Sequence, residues 1–454
     1  MAYRSFNPAT LTLMKTFKEI SDSDLHEKLE KGWNSFLHWE RTALNERLLY
    51  LNKLSGLLLK RKEDLAALIT MEMGKPIQQS RAEIEKCALL CDYYFENAPS
   101  LLQEIHYPSN AKKSIVTYNP TGIIYGVMPW NFPFWQVFRF FIPNIVLGNT
   151  TLLKHASNVP QCAEAIGKTV SEAGVPEGVF QNLFISYTQS DQVITSPYVQ
   201  GVTLTGSESA GARVAALAGK HIKKSVLELG GSDPFIVLED ADLDLAVETA
   251  LIARMQNAGQ SCIAAKRFIV HKSVYDLFTE KFIKAVKQIK IGDPMNENTF
   301  MGPMATENLV RELEDQLSSS VTMGARILTG GQRVKAGLLY FEPTIIDNVK
   351  KGMPAYDQEV FGPLASLFKV HNMDEALTLA NDTEFGLGAS VWTTDQEKAL
   401  YMAKCIRTGT VAINGGVRSE PRIPFGGTKK SGYGRELADL GLKEFSNIKT
   451  INIF

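Results

Sequence analysis

Apolar residues recur at helical spacing from residue 25 to 100, where LHEKLEKGWNSFLHWERTALNERLLYLNKLSGLLLKRKEDLAALI sets them against charges. Gly74-Lys75-Pro76 breaks the run, and QQSRAEIEKCALLCDYYF resumes it. From about residue 112 the period shortens, and SIVTYNPTGIIYGVM reads as two strands around a Pro-Thr-Gly turn. The most apolar long stretch, Pro133 to Gly148, contains Gln136, Arg139, Pro143 and Asn144. It is too short to span a bilayer and predicts a buried helix. Strands at TTLLK, VFQNLFI, GVTLT and SVLEL then alternate with helices at PQCAEAIGKTVSEAG and SESAGARVAALAG, which implies βαβ units and a parallel sheet. After residue 230 the alternation starts afresh with PFIVL, KRFIVH, ARILT, LASLFKV, ASVWTT and GTVAIN. Two α/β domains in tandem, joined near Gly230-Gly231, are the simplest reading. The ending EFSNIKTINIF predicts an exposed strand seeking an edge, often that of another subunit.

Composition narrows the class. The 454 residues are enough for two or three domains, each with its own core. The 48 basic and 49 acidic residues nearly cancel, which removes any global reason to bind nucleic acid or an anionic membrane. MAYRSFNPATLTLMKTF lacks the long apolar core of a secretory signal. The five cysteines are Cys87, Cys91, Cys162, Cys262 and Cys405; an odd, sparse set favours a reducing cytoplasm over a disulfide framework. Cys87 and Cys91 have no second Cys or His pair nearby, so they read as core residues and no metal site is expected.

Chemistry concentrates at a few positions. Gly206 and Ser207 stand where the GVTLT strand gives way to a helix, a place where free N–H groups and the helix dipole favour a pyrophosphate. The turn is neither GxGxxG nor a P-loop. Lys154 ends the TTLLK strand, on the edge where parallel sheets bind ligands. Ser157 follows, and a hydroxyl there suits a 2′-phosphate, whereas a carboxylate would repel one. Cys262 in NAGQSCIAAKRFIV is a nucleophile, Glu228 in LELGG a base for water, and the Asn131 amide with the Cys262 N–H a donor pair for an oxyanion. That set suffices to oxidise an aldehyde through a covalent thioester. Each residue alone also has an ordinary structural reading, as a buried thiol, half an ion pair or a turn residue.

Several segments closely resemble the aldehyde dehydrogenase superfamily: VMPWNFPFWQ, LLKHASN, LTGSESAG, LELGGSDPFIV, NAGQSCIAAKRFIV, QEVFGPLAS and PFGGTKKSGYGRE. The resemblance runs from about residue 5 to the C-terminus and is strongest to bacterial succinate-semialdehyde dehydrogenases of the short type. It implies an α/β fold with a Rossmann-like cofactor domain (1–101 and 121–229), an α/β catalytic domain (230–436) and a small β oligomerisation element (102–120 and 437–454). It implies Cys262 as nucleophile, Glu228 as general base and Asn131 as oxyanion donor. Lys154 and Ser157 match positions that hold the adenosine ribose, Ser207 the pyrophosphate contact and Glu359 the nicotinamide ribose contact. Trp130, Gly206, Leu229 and Phe361 fall beside them. Ser157 stands where many NAD-preferring members carry Glu, which moves the expected cofactor toward NADP, without excluding NAD. Ala264 stands where some relatives have a second cysteine, so a local disulfide switch is absent.

The implied reaction is oxidation of succinate semialdehyde to succinate, with another small aliphatic or ω-carboxy aldehyde, such as glutarate semialdehyde, as the alternative. A substrate carboxylate needs a cation or several donors. Arg139 is the candidate, with a salt bridge to Asp or Glu as its equal alternative; Arg418 and Arg422 compete with it. Ser261 and Ser419 are candidate hydroxyl donors, and Trp135 and Phe425 candidate apolar walls. A non-catalytic binding protein is disfavoured by the presence of Asn131, Glu228 and Cys262, and a CoA-acylating enzyme by Glu228. A homodimer or homotetramer is expected.

Overall fold

The structure is a computed structural model that describes residues 3–335 and 337–454; the first two residues of the expected cofactor domain lie outside it. The helical period of the N-terminal part is realised in four helices, Asp22–Trp39, Leu44–Lys60, Lys62–Met73 and Ile77–Leu101. Gly74 ends the third with φ of 82°, a left-handed turn that suits glycine, and Pro76 leads into the fourth. Two elements at the start of the chain were not anticipated: strands Tyr3–Asn7 and Thr12–Phe17 form an antiparallel hairpin.

The expected alternation of strands and helices yields two sheets. The first has six strands, in the order Gly432–Tyr433, Lys224–Glu228, Val199–Thr205, Ile123–Met128, Thr150–His155 and Phe180–Asn182. All run parallel except Gly432–Tyr433. The second has seven: Arg326–Thr329, Thr344–Asp347, Leu364–Val370, Ala265–His271, Asp233–Val237, Gly388–Trp392 and Thr410–Ile413. Only Arg326–Thr329 is antiparallel there. Thr344–Asp347 was not foreseen, and VFQNLFI shrinks to the three residues Phe180–Asn182.

The chain passes from the first sheet to the second across residues 229–232, at the expected Gly230-Gly231 junction. It returns near the end, where Gly432 pairs with Glu228. The Pro-Thr-Gly turn does separate two strands, but it closes no hairpin. Lys113–Asn119 lies in a third sheet, of three antiparallel strands with Asn447–Ile453 and Ile105–Tyr107, while Ile123–Met128 sits inside the first. Every residue of Asn447–Ile453 is exposed.

The apolar stretch after Pro133 forms the helix Trp135–Leu147, and all of it is buried. Gly126 of the neighbouring strand allows this: a Cβ there would lie 2.6 Å from Phe140 Cε1. Among the described residues no helix is long and apolar enough to cross a membrane.

Candidate active site

The loop carrying Cys262 is conformationally costly. After the helix Leu243–Met255, Asn257, Ala258 and Gly259 take φ of 55°, 53° and 71°. Left-handed backbone is strained for Ala258 and persists only where its surroundings impose it. Those surroundings are specific. Gln79 Oε1 accepts the Asn257 N–H at 3.0 Å, and the Asn257 amide donates to the Asn131 carbonyl at 3.1 Å. Gln260 donates to the Asn257 carbonyl at 2.9 Å and accepts the Ala305 N–H at 2.9 Å. Beyond the thiol, Lys266 Nζ donates to the carbonyls of Ser261 and Cys262 at 3.0 and 2.6 Å. The Cys262 N–H itself has no acceptor among the described residues and is free for an oxyanion. Burial pushes the thiol up to about 11, against the opposing pull of Arg139 and Lys266.

Asn131 is buried, and its side-chain nitrogen donates to the Gln260 carbonyl at 3.2 Å. An amide has two N–H bonds, so one remains for chemistry. The turn behind it is locked from the helix Ile77–Leu101. Glu83 Oε1 accepts the N–H groups of Phe134 and Trp135 at 2.8 and 3.0 Å. The other Glu83 oxygen pairs with Lys75, itself 3.8 Å from the Phe132 ring centre. Lys75 and Glu83 were invisible as site residues in the sequence, where they marked only a helix break and a polar helix face.

Glu228 ends a strand of the first sheet, is buried, and neither carboxylate oxygen has a hydrogen-bond partner among the described residues. Burial raises its pKa strongly; the Glu436 charge adds to this and Arg139 and Arg435 oppose it. Arg139 Nε lies 2.7 Å from Glu436 Oε2, both side chains buried. Gly426 makes room beside the base: a Cβ there would stand 2.8 Å from Glu228 Oε1.

Two cavities meet at the thiol. One of about 580 Å³ contains Asn131, Glu228 and Cys262, together with Trp130, Gly206, Ser207, Leu229, Glu359 and Phe361. Trp130 and Phe361 meet edge to face there, 5.9 Å between centres. Ser207 caps the helix Glu208–Lys220, as the strand-to-helix turn implied. Glu359 accepts the Gly231 N–H at 2.9 Å and lies 3.4 Å from Lys266 Nζ. A cavity of this volume with a helix N-terminus, an aromatic edge and a carboxylate fits a dinucleotide. Lys154 and Ser157 do not line this cavity. Lys154 belongs to the strand beside Ile123–Met128, with Nζ 5.1 Å from the Tyr187 ring centre, and Ser157 follows at its carboxyl end, its carbonyl accepting the Arg4 N–H at 3.2 Å.

The other cavity, about 420 Å³, holds Cys262 with Ser261, Trp135, Arg139, Ser419 and Phe425. It brings together the residues expected to meet the substrate. Arg139 lies 4.9 Å from the Phe425 ring centre, and its charge is already matched by Glu436. Arg422 is turned away into a pair with Glu420, and Arg418 is an exposed rim residue. Ser419 is buried and accepts from both Trp135 Nε1 and Lys86 Nζ, each at 2.9 Å. Lys86 escaped notice in the sequence because its helix lies far from every motif.

Comparison with known proteins agrees with this geometry. Residues 1–451 match the aldehyde dehydrogenase family. The chain is 48% identical over 451 residues to a protein of Synechocystis sp. named probable succinate-semialdehyde dehydrogenase (NADP+), covering 99% of each. It is 44% identical over 456 residues to succinate-semialdehyde dehydrogenase (NADP+) 1 of Mycobacterium tuberculosis, again covering 99% of each. The crystal structure of succinic semialdehyde dehydrogenase from Streptococcus pyogenes, in complex with NADP+, superposes with a TM-score of 0.98 at 39% identity, covering 100% of both chains. The chain belongs to the aldehyde dehydrogenase family.

Proposed function

We propose that this family member oxidises succinate semialdehyde to succinate with NADP+ as hydride acceptor. The observation that carries the chemistry is Cys262 standing where the two cavities meet, one suited to a dinucleotide and the other bearing cations and hydroxyls. The relatives named for this substrate and cofactor support the assignment, and so does Ser157, whose hydroxyl is a donor for a 2′-phosphate where a carboxylate would repel it. NAD+ is the secondary cofactor in this reading, and Lys154 and Ser157 hold the adenosine ribose.

Cys262 Sγ, as thiolate, attacks the aldehyde carbon, and the carbonyl oxygen becomes an oxyanion held by the Cys262 N–H and the Asn131 amide. Trp130, Ser207, Glu359 and Phe361 would hold the dinucleotide, which when bound would supply the hydride acceptor needed to convert the thiohemiacetal into a thioester. Glu228 then removes a proton from water, which attacks the thioester carbon; the C–S bond breaks and the acid is released. Burial makes Glu228 a reluctant anion, and Arg139 and Arg435 are the charges that favour its ionised form.

A kinetic panel tests the reading. Straight-chain aldehydes with and without a terminal carboxylate, including glutarate semialdehyde, are run with NADP+ and NAD+. Succinate semialdehyde with NADP+ is expected to give the highest kcat/KM. A higher value for glutarate semialdehyde moves the assignment to the longer substrate. The three-strand sheet ending in Asn447–Ile453 supports a homo-oligomer built through that exposed edge, and the cysteine usage supports a cytoplasmic location.

A further inference from the structure

An oxyanion needs its donors aimed as well as present. The Cys262 N–H belongs to residues 261–264, which lie outside helix and strand, between the left-handed residues 257–259 and the strand Ala265–His271. A peptide plane in such a loop turns over through changes in φ and ψ alone, and its N–H then faces the other side of the chain. What holds this plane is a side chain from the strand that follows.

Lys266 is the second residue of that strand, and its side chain is 3% exposed. Its ammonium has three N–H bonds, and three oxygens stand around it. It donates to the Ser261 carbonyl at 3.0 Å and to the Cys262 carbonyl at 2.6 Å, and Glu359 Oε1 lies 3.4 Å away. Burial pulls Lys266 down, and Glu359 supplies the opposing charge that a buried ammonium requires. The Ser261 carbonyl also accepts the Ala264 N–H at 3.1 Å. Gly231 gives the Cys262 carbonyl its place, since a Cβ there would stand 2.7 Å from that oxygen.

The Ser261 carbonyl and the Cys262 N–H are two ends of one peptide group. That group is trans and planar, so its N–H points opposite to its C=O. A cation that fixes the carbonyl on one side therefore fixes the N–H on the other. The next carbonyl, held by the same ammonium, stops the chain from turning at Cys262 itself. We infer that Lys266 is a positioning residue of the oxyanion site, an ammonium that clamps the carbonyls on either side of the Cys262 Cα and so aims the Cys262 N–H at the reacting oxygen. The inference rests on the reading of the Cys262 N–H and the Asn131 amide as the oxyanion donors. Glu359 has a second task in this arrangement, because it keeps the clamp charged.

The test uses the full-length enzyme without cofactor and compares two reactions of the same sulfur. Acetylation of Cys262 by p-nitrophenyl acetate passes through a tetrahedral oxyanion and releases p-nitrophenolate. Alkylation by iodoacetamide displaces iodide and forms no oxyanion. Both rates scale with the thiolate fraction, so their ratio cancels any change in the thiol's own titration. Asn131→Ala is the reference and is expected to lower the acetylation-to-alkylation ratio about 100-fold. Lys266→Met is expected to lower it about 30-fold. Lys266→Gln is shorter and uncharged but keeps N–H donors, so it weakens the clamp without removing it; about a fivefold fall is expected, and this variant carries the test should Lys266→Met not fold. Where Asn131→Ala lowers the ratio and either lysine variant slows both reactions equally, the proposal is overturned, because the lysine then acts only through its charge or through packing. Where Asn131→Ala also leaves the ratio unchanged, the oxyanion reading fails and Lys266 as its positioning residue fails with it.

Discussion

The two cavities that share Cys262 are made in different ways. The larger is built mostly from strand ends and turns: Gly206 and Ser207 follow one strand, Leu229 another, and Trp130 lies just beyond a third. Its lining carries six carboxylates, Glu208, Glu228, Glu312, Asp357, Glu359 and Glu384, and, among the described residues, no cation. The smaller is lined from three helices, with Lys86 from Ile77–Leu101, Trp135 and Arg139 from Trp135–Leu147 and Ile252 from Leu243–Met255, and is closed by the loop at Ser419. Its cations are Lys86, Arg139 and Arg418. A helix N-terminus at a strand-end turn suits a phosphate-bearing ligand, while cations on a cavity wall suit a carboxylate. The common cofactor therefore belongs with the first and substrate choice with the second.

Removing the shared residue should break the comparison most severely. Cys262→Ala is expected to cut aldehyde oxidation by about 10⁴-fold or more while leaving NADP+ affinity intact, as steady-state kinetics and calorimetry would show. Loss of cofactor binding as well would mean that the thiol supports the larger cavity structurally. Asn131→Ala removes one oxyanion donor and is expected to lower kcat about 10²- to 10³-fold, with little change in KM. An unchanged kcat would leave the Cys262 N–H as the sole donor.

Smaller effects sharpen the contrast. The free enzyme holds its thiol at about 11, so below that value each pH unit raises the thiolate fraction tenfold. Alkylation of Cys262 by iodoacetamide, followed by peptide mass, is expected to speed up about 100-fold from pH 7 to pH 9. A flat profile would show that the thiolate already exists at neutral pH. Ser157→Glu places an anion beside a 2′-phosphate and is expected to shift the NADP+/NAD+ ratio of kcat/KM about tenfold toward NAD+, with the aldehyde ratios unaltered. A constant ratio would assign phosphate recognition to another residue.

The same difference in construction explains what the sequence could convey. The larger cavity uses residues next to strand ends, where periodicity marks both the strand and its last residue. Gly206, Ser207 and Glu228 could therefore be placed before any coordinates. Lys86 sits in the amphipathic pattern of a long helix, where a charged residue reads as solvent-facing. Its burial depends on a loop more than 300 residues away, in the contact with Ser419. Arg139 was legible as a buried charge but its partner was not, because Glu436 is brought to it only by the return of the chain to the first sheet. The short strands Tyr3–Asn7 and Thr344–Asp347 carry too few residues for an alternating pattern to stand out.

The return crossing has a mechanical consequence. Gly432 lies against Glu228, and Ser431 binds the outgoing strand directly: its carbonyl accepts the Leu229 N–H at 3.0 Å and its hydroxyl donates to the Gly230 carbonyl at 2.6 Å. The crossing between the two sheets is therefore two chain segments wide instead of a single thread. Glu228 lies within that pair, so the placement of the base depends on residues more than 200 positions later in the chain.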